Sequence, residues 1–316
     1  MKKILIATTA LVATAGVAAA EVAVSGNGRM GVVYDGADLN FSSRIRVVFT
    51  LSGETDGGLQ FGGSFRADNA TGAATGNAGN VYISGAFGKL AMGDVVGAAE
   101  EVIGDLPEIG FQDVANNDVS YLTGDNGGSV SGTNALYTYS AGALSFALSM
   151  NDGKQAAVPA GFALNTTTGV IAPVAAVGVD TANEVAVGVK YSMDAYSVAL
   201  AHEVSKPVVG GARKHTIIGA TGTFADTTVM AFYGAMSGGT LPKQKQYGIG
   251  VTSKFDAITV KGFVRNDKTT GLKAVTSWGL GGEYSLGGGA SVAGGLADNN
   301  VPGSKVKADF GLKFTF

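Results

Sequence analysis

The chain has 316 residues, with 22 basic and 25 acidic side chains, 50 glycines, 6 prolines and no cysteine. A net charge of −3 leaves no strong basic patch for nucleic acid, and the lack of cysteine excludes a disulfide scaffold or thiolate metal site while fitting an oxidising compartment. Mean hydropathy is positive, yet past the first segment no run approaches the ~18 consecutive apolar residues of a membrane helix.

Residues 1–20, MKKILIATTALVATAGVAAA, open with Lys2 and Lys3, continue through an apolar stretch and end in small residues. That form predicts a signal peptide cleaved after Ala-x-Ala, before Glu21, and hence export; a retained anchor would want ~20 apolar residues and no such site. The rest can still meet lipid if alternate residues face it, because a strand points successive side chains to opposite sides. Within lipid, a chain of strands satisfies every backbone group only as a closed barrel.

The first expected strand contains Gly26-Asn27-Gly28-Arg29-Met30-Gly31. This matches the GxGxxG dinucleotide pattern, which needs a preceding strand and a following helix; inside an alternating run the glycines instead predict close packing in a barrel wall. In SRIRVVFTLSG, Ile45, Val47, Phe49 and Leu51 oppose Arg44, Arg46, Val48, Thr50 and Ser52, and in LQFGGSFRAD, Leu59, Phe61 and Phe65 oppose Gln60, Ser64, Arg66 and Asp68. Charge facing lipid is costly, so this parity turns Arg29, Arg44, Arg46 and Arg66 toward the lumen as a basic wall on three adjacent strands.

Between GKLAMGDV and ALYTYSAG lies a long connection, Val96 to Thr133. It carries seven carboxylates, Glu100, Glu101, Asp105, Glu108, Asp113, Asp118 and Asp125, and no lysine or arginine. A structureless loop of that length is normally functional or disordered, and Ile103, Leu106, Ile109, Phe111 and Tyr121 argue that it packs on something. A solvated outer loop is the alternative. Folded inward, the loop would face the arginines, narrow the opening and set a transverse field that passes hydrated polar solutes and penalises apolar ones; its acidic surplus would mildly favour cations.

Alternation continues in ALSFALSM, where Leu144, Phe146, Leu148 and Met150 face one side, and in EVAVGVKY, where Val185, Val187, Val189 and Tyr191 do. Turn chemistry at Gly88-Lys89, Ala141-Gly142, Asp194-Ala195, Ala225-Asp226, Asp256-Ala257 and Gly287-Gly288 separates paired runs, the last four about 31 residues apart. In KVKADFGLKFTF, Val306, Ala308, Phe310, Leu312, Phe314 and Phe316 oppose Lys305, Lys307, Asp309, Gly311, Lys313 and Thr315. The runs predict an all-β protein, a closed transmembrane antiparallel barrel of about sixteen strands over residues 21–316, wide enough for an aqueous channel.

An enzyme would need a nucleophile beside an oriented base. His202 lies among apolar positions and His215 follows Arg213-Lys214 near a loop, with no Ser and Asp set beside either; Glu100 and Glu101 are neighbours in a loop that need not converge. A plugged structural barrel would want bulky inward residues, whereas these strands turn Ala, Ser, Gly, Thr and charge inward. A solute-specific channel, or a structural or lipid-hydrolysing barrel, stays as an alternative to a general diffusion channel.

The start EVAVSGNGRMGV, then NFSSRIRVVFTLSGETDGGLQFGGSF, SGAFGKLAMGD, SYLTGD, YTYSAGALS and LGGGASVAGGLADNN, resemble the general porins of photosynthetic alphaproteobacteria of the Rhodobacter type. The resemblance implies a sixteen-stranded homotrimer in the cell outer membrane, in contact with its lipid and passing small hydrophilic solutes. It implies that the third loop folds into each barrel to form an eyelet opposite the arginines, that Phe316 is the terminal aromatic by which the assembly machinery receives the chain, and that loop carboxylates can hold calcium, although no fixed-spacing calcium motif is present. The chain departs most from the family over Asp152 to Asn183, which is unusually apolar for an outer loop.

Overall fold

A computed structural model describes residues 20–69, 75–115, 117–124, 134–151, 153, 161–164, 171–174 and 183–316. The segment expected to be a signal peptide lies outside these, as do Asp125 and most of 152–183. Among the described residues the first element is β1 (Glu21–Tyr34), followed by β2 (Leu39–Glu54), β3 (Gln60–Asp68), β4 (Thr75–Gly85) and β5 (Gly88–Gly93). A six-residue helix α1 (Ala98–Ile103) precedes β6 (Asn134–Ala141) and β7 (Leu144–Asn151). Two short strands, β8 (Gly161–Leu164) and β9 (Ile171–Val174), pair only with each other. Long strands then follow: β10 (Asn183–Met193), β11 (Tyr196–Lys206), β12 (Arg213–Phe224), β13 (Thr227–Gly238), β14 (Gln244–Phe255), β15 (Ile258–Thr269), β16 (Val275–Gly287), β17 (Ala290–Asp298) and β18 (Lys307–Thr315).

Sixteen of these strands, all but β8 and β9, form one closed antiparallel barrel in which β1 pairs with both β2 and β18. Closure leaves no strand edge for lipid to meet. At the seam, Phe316 and Gly26 exchange backbone hydrogen bonds at 2.9 and 3.4 Å. Along β11, Val198 and Leu200 are about half exposed on the outer face while Ala199 and Ala201 are buried within, the apolar-out alternation of a lipid-facing wall.

The short turns differ from expectation by one or two residues in three places. β4 turns at Ala86-Phe87 rather than Gly88-Lys89, β6 at Gly142-Ala143, and β16 at Gly288-Gly289. In each case the strand pairing extends through a glycine or alanine that composition alone marks as a breaker. Asp194-Ala195, Ala225-Asp226 and Asp256-Ala257 turn where expected.

The main apolar core of the described residues is not between two sheets but between the 94–124 segment and the inner wall. Ala98, Ala99, Val102, Ile103, Leu106, Ile109, Val119 and Tyr121 are buried against Ala147, Ala186, Ala199, Ala201 and Ile217. A six-residue helix is far too short to stand alone in water, so α1 is held by this packing, with Ser149 Oγ accepting from Ala98 N at 2.8 Å.

Candidate functional site

The inward segment runs around the inner wall. Helix α1 packs against β7, β10, β11 and β12; Leu106 and Pro107 then cover Gly248 and Gly250 of β14, and Ile109 and Gly110 cover Gly281 of β16 and Gly295 of β17. Phe111 ends the run over Gly31 and Gly311, which face each other across β1 and β18. A Cβ would come within 2.7 Å of Val102 at Gly188, 2.4 Å of Pro107 at Gly250 and 2.5 Å of Ile109 at Gly295. Real Cβ atoms do not approach so closely, so part of the glycine excess is a bed for the loop. It also explains Gly31, the last glycine of the GxGxxG match.

Polar contacts tie the segment at both ends. Near its far tip, Gln112 N donates to Asp309 Oδ2 at 3.0 Å and Ser42 Oγ donates to Gln112 Oε1 at 2.5 Å. On the way back, Arg265 donates to the Asp118 carbonyl and to Ser120 Oγ, and Gln246 holds Ser120 through both its backbone N–H and its carbonyl. Glu203, fully buried, accepts from Leu122 N, Thr123 N and Thr123 Oγ1, and lies 2.5 Å from His215 Nδ1. The alternation alone did not expose this latch. His215, in the third position of β12 and near the 207–212 connection as expected, is a fully buried wall residue that holds the return limb through Glu203, while His202 lies on the outer face beside Thr216.

The six loop carboxylates expected at one opening separate into two kinds. Glu101, Glu108 and Asp118 are exposed to the lumen. Glu100 is buried within α1, and Asp105 and Asp113 spend an oxygen each on backbone, accepting from Val119 N at 2.7 Å and Ile109 N at 3.1 Å. Those three support the loop's shape. Among the described residues no three carboxylate or imidazole groups gather at one point.

The four arginines are brought together as parity required. Arg29 faces Arg44 across β1 and β2 and faces Lys313 on its other side, while Arg46 and Arg66 follow on β2 and β3. Like charges placed directly opposite are destabilising, so a row of this kind is kept against its own repulsion. Arg46 is offset by a bidentate pair with Asp68 at 2.7 and 2.8 Å, and Lys313 by Glu283 at 3.2 Å. Arg44 bonds the neutral Asn27, and the buried Nε atoms of Arg29, Arg44 and Arg66 have no partner among the described residues. Asp309 of β18 and then Glu108 and Asp113 of the loop act on the charge of Arg29, and Phe111 sits over Gly31 of the same strand, so the loop's far end stands by the first arginine of the wall.

A profile of Gram-negative porins matches residues 7–304. The chain belongs to the Gram-negative porin family. It is 41% identical to the Rhodobacter capsulatus porin over 94% of this chain and all of the relative. A porin structure refined at 1.8 Å aligns at 41% identity with a TM-score of 0.80, again over 94% of this chain and all of the other. An engineered Rhodopseudomonas blastica porin aligns at 21% identity and a TM-score of 0.68, with the same coverage, a likeness of fold. This porin is therefore an outer-membrane diffusion channel and not an enzyme. The lipid-hydrolysing alternative falls, and Thr123, Glu203 and His215 are a structural clamp rather than a catalytic set.

Proposed function

We propose that the lumen-facing acids Glu101, Glu108 and Asp118 and the arginines Arg29, Arg44 and Arg66 form the constriction of this channel, a general size and polarity filter with a mild preference for cations. The observation that carries the proposal is the like-charge pair Arg29 and Arg44, bonded to no acid among the described residues, beside the tip of an acidic loop. Opposed rows of fixed charge order the water between them, so a polar solute exchanges hydrogen bonds on passing while an apolar one only loses them. The porin works as a trimer, with Phe316, 72% exposed at the foot of β18, serving the assembly machinery, as the family resemblance implies; the form of its first twenty residues supports export.

The filter carries its own pH dependence. Burial, reinforced by Glu108, Asp118 and Asp309 nearby, raises Asp113 from 3.8 to about 6 against the pull of its bond to the Ile109 amide. Because the folded value lies above the unfolded one, the folded protein holds the extra proton between those values, so the loop tip loses stability as pH rises through that window. Planar-bilayer reversal potentials in a potassium chloride gradient should show a cation preference at pH 7.5, and the open-channel current should grow quieter as pH falls through about 6, where protonated Asp113 holds the loop tip more firmly. An anion preference at pH 7.5 would remove the loop acids from the filter, and current noise unchanged down to pH 5 would take Asp113 out of the tip's support. Current saturating with one sugar and no other would favour a solute-specific channel.

A further inference from the structure

The outer face of β11 to β16 carries charge of one sign at one end only. Buried Glu203, His215, Gln246 and Arg265 fix the inward parity of β11, β12, β14 and β15. Lys206, Lys214, Lys245 and Lys268 stand on the opposite parity and are exposed. Lys245 and Lys268 are direct cross-strand partners. Lys243 and Lys273 follow, exposed, in the adjoining connections. No outward position of these six strands is a carboxylate, the connections 207–212, 239–243 and 270–274 contain none, and among the described residues no acid pairs with these lysines.

This end is the outer one, because its connections are the longer set and the two-residue turns lie opposite, as transmembrane barrels place them. Just below the lysines come Tyr233 facing Tyr247, and Trp278 facing Val264, the aromatics that mark headgroup depth. Below these, a groove of about 540 Å³ opens on the lipid side, lined by Ile249, Val251, Val264, Trp278 and Leu280 around Gly262. It lies on the same strands as the lysine pair, four residues or about 13 Å beneath it at strand rise.

We propose that this face is a binding site for a phosphate-bearing lipid of the outer leaflet, its phosphate held between Lys245 and Lys268 and an acyl chain lying in the groove at Gly262. Two like charges directly opposed at headgroup depth destabilise the sheet unless an anion joins them, and a net-negative protein that gathers six lysines on one rim presents a local surface complementary to phosphate. The groove beneath distinguishes a lipid from a free anion.

Native mass spectrometry of the folded porin in detergent tests this, with bis-phosphorylated lipid A, the same glycolipid stripped of phosphate, and inorganic phosphate as probes. Each basic side chain near an anionic membrane surface is worth roughly a fivefold gain in affinity, so Lys245→Gln with Lys268→Gln should lower lipid A retention by about thirtyfold. The stripped glycolipid should bind wild type no better than lipid A binds that variant. Gly262→Leu, whose Cβ meets only ordinary contacts with Gly279 and Leu280, should fill the groove and also reduce retention. Single-channel conductance, which these outward residues do not touch, reports folding and should stay at the wild-type value. Equal lipid A retention by wild type and the lysine variant overturns the proposal, as does displacement of bound lipid A by millimolar inorganic phosphate, which would make the site one for a free anion.

Discussion

A porin carrying Gly188→Val, Gly250→Val and Gly295→Val together should lose its seated loop, conduct more current per channel and admit larger sugars than wild type. At these glycines an added Cβ would strike loop atoms first, Val102, Pro107 and Ile109, so the loop rather than the strand must give way. Seating buries Val102, Ile103, Leu106, Ile109 and Phe111, worth about 1.5–3 kcal/mol each. One overpacked site costs roughly 1–3 kcal/mol, so any single variant should shift the loop locally and leave conductance near wild type. Three sites on separate strands add to about 3–9 kcal/mol and strike the loop at three separate points along its seat. Conductance steps of wild-type size from the triple variant, with heat-modifiable migration intact, would show that the glycine bed does not hold the loop.

Glu203→Ala should release the return limb while sparing the barrel. Glu203 accepts from two loop amides and one loop hydroxyl and faces His215, so its loss leaves buried donors unmet and His215 without its partner. Breaking such a buried cluster costs about 3–5 kcal/mol, borne by the loop amides and by His215 of β12. Hydrogen exchange at Leu122 and Thr123 should quicken by about two orders of magnitude or more, with the amides of β14 and β15 unchanged, and the open-channel current should become noisier. Glu203→Gln keeps the shape and some of the bonds and should fall between. Unchanged exchange at Leu122 and Thr123 would mean that Arg265 and Gln246 hold the limb without it.

The barrel and the inward side of the arginines could be read from alternation because lipid on one side and water on the other impose a period of two on every strand. Arg29, Arg44, Arg46 and Arg66 share a face for that reason and were assignable without coordinates. The loop's path obeyed no period. Its apolar residues announced packing, but its seat is written in glycines on β10, β14, β16, β17 and β18, and a glycine in a strand looks the same whether it admits a loop or only loosens a turn. The division of the acids was equally hidden: Glu100, Asp105 and Asp113 differ from Glu101, Glu108 and Asp118 only in where the loop's backbone bends. Asp68, which offsets Arg46, was visible in LQFGGSFRAD on the same parity as Arg66, and its pairing with Arg46 required the register of β2 on β3.

Reversal potentials of two neutral double variants weigh the central claim, an arginine wall opposed by acidic side chains of the inward loop. Arg29→Gln with Arg44→Gln should raise cation preference, since neither arginine is bonded to an acid among the described residues; Glu108→Gln with Asp118→Gln should lower it, both without a change in the number of strands or in migration of the folded porin. Opposite shifts of comparable size are the predicted result, and unchanged potentials in both variants would contradict it.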